Sequence, residues 1–170
     1  MAPDHDMLLA DWKAHAARRQ ASQRRFLRSL KLIHDPGSVD ALSQALHTEV
    51  FAQIDCTRCA NCCKSAAVSL DDADVERIAA QLNLTTTEFI ARYLTAYPTE
   101  GRYHMQQIPC PFLGGDDRCT IYDVRPAICR SYPNTDGEGF ATRSYQHASN
   151  AKICPAVYHI VEAMRKRHGS

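Results

Sequence analysis

Apolar residues recur every three or four positions across residues 7–34, at Leu8, Trp12, Ala16, Phe26, Leu30 and Ile33, with no Gly or Pro among them. That period predicts a long amphipathic helix, ended by the turn-forming run Asp35, Pro36, Gly37. A second stripe, Val39, Leu42, Leu46, Val50 and Ile54, follows Ser38 as a candidate cap and leads directly into Cys56. Ser69 with Asp72 three residues on suggests another helix start, with Val75, Ile78, Ala79 and Leu82 as its buried face. Thr85 and Glu88 have capping-box spacing ahead of residues 89–94, so two short helices joined near Asn83 are expected.

After Pro98 the pattern changes. Residues 102–108 and 119–122 have strand-like composition, and the run from Gly114 to Asp117 is turn chemistry, which predicts a small hairpin. Pro126 suits the first turn of a helix carrying Ala127, Ile128 and Cys129. Residues 133–150 have no clear period and read as a loop. Pro155 then opens a last helix with Val157, Ile160, Val161 and Met164 on one side and Arg165, Lys166, Arg167 and His168 at its negative end. There is no internal repeat, and no linker divides the chain. The expected fold is mainly α with a small β-hairpin in a single domain, residues 1–37 forming a basic helix integral with a cysteine-bearing part over residues 38–170.

The chain has 170 residues and a formal charge of +1, so bulk electrostatics gives no reason for wholesale nucleic-acid or membrane binding. Charge matters only locally. Seven Lys or Arg residues lie between Lys13 and Lys31 with no acid among them. Such a face is ordinarily solvated, and it is the one place where an acidic protein or a nucleic acid could dock. The first residues hold neither a secretory signal nor a spanning segment, and the expectation is a cytoplasmic protein without membrane contact.

That compartment changes the meaning of the eight cysteines, because clustered thiols in reducing surroundings are more often metal ligands or redox groups than disulfides. Cys56, Cys59 and Cys62 stand three residues apart, a step that lets a turn aim successive thiolates at one ion or cluster. Cys63 is adjacent to Cys62, and neighbouring side chains diverge, so the two fit two nearby centres better than one. Two four-coordinate centres need about eight sulfurs. The remaining four are Cys110, Cys119, Cys129 and Cys154, at intervals of 9, 10 and 25 residues. The fold is therefore expected to be organised around a cysteine-ligated metal core. Zinc is the first choice, since four-cysteine sites are its common structural form, and iron or an iron–sulfur cluster the second. Eight thiolates would leave surplus negative charge, and Arg58, Lys64, Arg118, Arg125, Arg130 and Lys152 each lie within four residues of a cysteine, with Arg118 and Arg130 adjacent to one.

The run Cys-Thr-Arg-Cys-Ala-Asn-Cys-Cys, followed by Cys-Pro-Phe-Leu, by residues 119–133 and by a last Cys-Pro, resembles the bacterial cysteine-cluster family named for its C-x-x-C-x-x-C-C core, a zinc- or iron-chelating domain (YkgJ-like). The resemblance covers about residues 56–154. It implies that Cys56, Cys59, Cys62, Cys63, Cys110, Cys119, Cys129 and Cys154 are the ligands, in a structural, sensing or chelating role. Related clusters occur in flagellin lysine methylases, which leaves an iron–sulfur enzyme or electron carrier as the alternative. The chain has no glycine-rich nucleotide fingerprint, which weighs against an enzyme.

Other candidates are set aside. His104, His147 and His159 each stand alone in their segments and read as surface or hydrogen-bonded side chains, with His104 the substitute ligand should one cysteine be inert. Asp116, Asp117 and Asp123 read as turn and cap residues, and Phe112, Tyr122 and Tyr132 as shielding for the thiols. Ser131 and Ser144 have no partnered His and Asp.

Overall fold

Asp4 starts the first helix by accepting a hydrogen bond from the Met7 N–H at 3.0 Å. Helix α1 then runs His5–Ser29 and tightens into a 3₁₀ turn over Leu30–Leu32. A computed structural model of the chain describes residues 4–32, 35–98 and 101–168, so Ile33, the last position of the expected stripe, lies outside the described residues. The second helix corrects an expectation. Its cap is Asp35, whose carboxylate accepts from the N–H groups of Gly37 and Ser38, and α2 spans Pro36–Phe51. Asp35, Pro36 and Gly37 therefore begin a helix as well as ending a pattern, because proline's missing N–H costs nothing in a first turn.

Two short helices, α3 (Cys56–Cys59) and α4 (Asn61–Ser65), carry the first four cysteines. Strand β1 (Ser69–Asp71) leads into α5 (Asp72–Gln81), followed by α6 (Thr86–Tyr93), β2 (Leu94–Ala96) and β3 (Arg102–Met105). The α5 cap is Asp71, which accepts from the Asp74 N–H at 2.9 Å; Ser69, expected in that role, is instead the first residue of β1. The Thr85–Glu88 capping box forms as expected, and Asn83 takes a left-handed conformation with φ +56° between the two helices.

The expected hairpin is also corrected. Both edges of β3 are taken, giving a three-stranded antiparallel sheet of order β1-β3-β2 in which His104 stands opposite both Ser69 and Thr95. Residues 119–122 form no strand; there is one isolated bridge, Leu113 to Cys119, and a 3₁₀ turn over Tyr122–Val124. A strand is completed by its partner, and β3 finds its partners in the segments flanking α5 and α6. Beyond α7 (Ala127–Ser131), the stretch read as a loop contains a 3₁₀ turn over Ala141–Arg143 and helix α8 (Ser144–Asn150). The chain ends with α9 (Pro155–Arg167), which starts at the expected proline.

The chain forms two compact units, Met1–Asp55 with Pro133–Ser170, and Cys56–Tyr132. In the first, α1, α2, α8 and α9 pack together, and Val157, Tyr158, Ile160, Val161 and Met164 of α9 are fully buried. Glu162 is buried in the same helix and is satisfied by Arg19, Gln23 and Arg165. Asp40 of α2 fixes the approach to α8 by accepting from the N–H groups of Gly139 and Phe140 at 2.8 and 2.9 Å. In the second, Leu70, Val75, Ile78, Ala79, Phe89, Leu94, Met105, Phe112 and Ile121 make one apolar core, with Cys110 and Cys119 packed against it. Phe89, Tyr93 and Phe112 are its aromatic centre, with ring centroids 4.9 to 6.2 Å apart. Among the described residues no helix is long and apolar enough to cross a membrane.

Candidate metal centre

The cysteine-rich run folds as two short helices joined at Ala60. Cys56 and Cys59 are three residues apart in α3 and share its face. The chain then reverses at Ala60, buried and left-handed at φ +49°, whose N–H donates to the Cys56 carbonyl at 3.1 Å. A left-handed alanine costs about 1–2 kcal/mol, so the helical hydrogen bonds on either side must hold it. Those in α4 include Lys64 N–H to the Ala60 carbonyl and Ala66 N–H to the Cys62 carbonyl. Within α4, Cys62 and Cys63 are consecutive and so point about 100° apart around the axis.

Backbone bonds bring the later segment to Cys63. Its carbonyl accepts from the Cys110 N–H at 2.8 Å. The chain then turns back on itself: Gly114 N–H donates to the Arg118 carbonyl, Asp117 N–H to the Gly114 carbonyl, and Thr120 N–H to the Phe112 carbonyl. The close turn favours glycine at position 114, where a Cβ would stand 2.8 Å from an Asp116 carboxylate oxygen and 3.1 Å from the Arg118 carbonyl. This turn returns Cys119 alongside the Cys110 segment.

Electrostatics shows which thiols are neighbours. A hydrogen bond with Cys62 and the nearby Lys64 ammonium draw the Cys63 thiol down to about 7 against the resistance of burial. Burial pushes Cys110 up, and the negative charges of Cys63 and Cys119 push it the same way. Cys119 is raised by burial and by Cys63, with Arg125 opposing. Cys129 is pushed up to about 12, first by burial and then by the charges of Cys63, Cys110, Cys119 and Asp74. Four thiols from three separate segments thus repel one another's ionised forms, with Cys62 bonded to the first of them. A cation among them would reverse that repulsion, and thiolates are the donor type that a soft metal ion takes.

Among the described residues, no three His, Cys, Asp or Glu side chains stand close enough to hold an ion as placed. Cys56 is exposed and Cys59 half-buried on α3. Cys154 belongs to the other unit, where it is buried and its N–H donates to the Asn150 carbonyl at 2.7 Å. Of the cations near cysteines in sequence, Lys64 and Arg125 act on thiols, at Cys63 and Cys119. Lys64 also pairs with Asp117 at 2.7 Å, and Arg125 lies over the Tyr122 ring at 3.8 Å.

The residues set aside fall as follows. His104 packs edge-on against Tyr97, and its Nδ1 is buried without a hydrogen-bond partner. The His159 ring bonds the Leu8 carbonyl. His147 departs from expectation: it is fully buried, stacked on Phe140 at 4.0 Å, with neither ring nitrogen hydrogen-bonded. Asp116 does serve the turn, accepting from the Arg118 N–H, and Phe112 is core. Tyr122 is 47% exposed and shields little.

Sequence reading missed Asp74 and Arg77. They sit between the apolar positions of α5, and the signal available was their three-residue spacing, which places an acid and a base on one helix face. In the fold, Asp74 is buried and accepts from the first N–H of α7, the helix that carries Cys129. No curated protein and no solved structure matches the chain. A family model named CxxCxxCC, with the description "Putative zinc- or iron-chelating domain", matches residues 55–155, a span that includes all eight cysteines. By that match, which covers more than half of its length, the chain belongs to the CxxCxxCC family.

Proposed function

We propose that this protein binds zinc or iron through its eight cysteines, with zinc the first choice and a structural, sensing or chelating role. The observation that carries this reading is the mutual repulsion of ionised Cys63, Cys110, Cys119 and Cys129. These four would hold one ion, their thiolates supplying a four-sulfur shell of the kind zinc takes in structural sites. Cys56, Cys59 and Cys62 are the donors this leaves in the same unit for a second centre.

The bound ion would supply charge neutralisation and fix the segments around it, and the residues would set its access. Lys64 and Arg125 temper the surplus negative charge, and the core packed behind Cys110 and Cys119 keeps water from one side. The test is elemental analysis with an absorption spectrum on protein purified without air. Two zinc per chain in a colourless protein is expected, and Cys63→Ser, Cys110→Ser, Cys119→Ser or Cys129→Ser should each weaken retention of the same ion. Protein that holds less than about one ion in ten chains after loading would refute the reading. A brown protein absorbing near ~400 nm would instead establish the iron–sulfur form, and with it the electron carrier or enzyme.

A further inference from the structure

The fourth cysteine of the proposed centre sits on a helix too short to hold itself in place. Helix α7 has five residues, Ala127–Ser131, and its N-terminal residue Pro126 provides no side-chain cap. What it lacks is supplied from α5. The Asp74 carboxylate accepts from the Ala127 N–H at 3.0 Å and pairs through the same oxygen with the Arg77 guanidinium. The same Arg77 nitrogen donates to the Arg125 carbonyl at 3.1 Å. One side chain grips the backbone before Pro126 and the other grips it after, two residues ahead of Cys129. Asp74 is only 3% exposed, and its own N–H is fixed by the Asp71 cap, so the grip comes from a rigid part of the core unit. A buried, charge-assisted pair that loses one member leaves the other unsatisfied, which makes this contact costly to break.

We infer that Asp74 and Arg77 are positioning residues for Cys129: the pair sets the start of α7, and thereby whether the Cys129 thiol is presented to the centre it shares with Cys63, Cys110 and Cys119. The inference rests on the metal-binding reading above. Its mechanical part does not, because the grip is made by the protein alone.

Two measurements on the full chain test it. In metal-free protein at pH 9, mass-spectrometric alkylation should show Cys129 labelled about tenfold faster in Asp74→Ala than in the wild type, with Cys110 unchanged as an internal reference. Asp74→Asn keeps an acceptor for the Ala127 N–H and should recover most of the protection. With cobalt(II) as the probe, Asp74→Ala should lower the sulfur-to-cobalt charge-transfer absorbance by as much as Cys129→Ser does, and the double variant should lose no more than either. Should Asp74→Ala fail to fold, Arg77→Met makes the same test, since it removes the donor to the Arg125 carbonyl and the partner of Asp74 while leaving the Asp74 acceptor for the Ala127 N–H in place.

Unchanged Cys129 labelling in Asp74→Ala or Arg77→Met overturns the positioning role. Equal acceleration at Cys110 also overturns it, by showing general loosening. A wild-type chain without any cobalt–sulfur band refutes the metal reading instead, and the alkylation comparison still decides the grip.

Discussion

Cys63 should react faster than an ordinary thiol of the cluster, because its neighbours favour the thiolate. Hydrogen bonding with Cys62 is the largest influence on it, burial opposes, and Lys64 assists, for a net fall from 9.0 to about 7. At pH 7 the thiolate fraction then rises from about one in a hundred to about one half, roughly fiftyfold. A less basic thiolate is a weaker nucleophile, and two units of basicity cost about eightfold, leaving a net gain of about sixfold over an ordinary thiol. Cys129, pushed to about 12, has a thiolate fraction lower by about five decades at the same pH. The assay is alkylation of the metal-free full chain with limiting iodoacetamide from pH 6 to 9, mapped by mass spectrometry. Because the Cys62 and Cys63 thiols are hydrogen-bonded to each other, the midpoint near 7 belongs to the pair. Replacing Cys62 with alanine should move it toward 9 and slow Cys63 at pH 7 by about sixfold or more, burial then acting unopposed by its main partner. Lys64→Ala should do less. A Cys63 profile with its midpoint at 9 or above in the wild type, or one unmoved by Cys62→Ala, refutes the reasoning.

Other outcomes follow from the first unit. His147 is held as neutral imidazole, lowered by burial and by Arg143 from 6.5 to about 4, so between those values the unfolded chain binds more protons and stability falls as pH falls. The loss should total about 3 kcal/mol from pH 6.5 to 4, read by urea denaturation, and His147→Phe should flatten the curve. A wild-type curve as flat as the variant's would overturn this. Burial pushes the Glu162 carboxylate up, but bonds from Arg165, Arg19 and Gln23 outweigh it and keep it below the usual range. Glu162→Ala strands those donors and should cost about 3 kcal/mol in urea denaturation at pH 7, against less than about 1 for the exposed Glu49→Ala, which loses one surface pair with Arg167.

What could be read directly from the chain was governed by groups within a few residues of one another. The capping box at Thr85 and Glu88, the proline that opens α9 and the apolar face of α5 are local devices, and each forms as its residues dictate. The cysteine spacing likewise marks the family, because C-x-x-C-x-x-C-C fixes which thiols a single turn can share. Partners distant in sequence were decided only by tertiary structure. Arg102–Met105 looked like a strand but did not name its neighbours, since β1 and β2 lie on either side of two helices and become strands only by pairing with it. Helix α8 has no apolar stripe to announce it; its identity comes from a fully buried histidine against Phe140. The repulsion among Cys63, Cys110, Cys119 and Cys129 and the grip of Asp74 on α7 arise from charges and hydrogen-bonding groups that meet only after folding, because both depend on distance through space, which spacing along the chain does not encode.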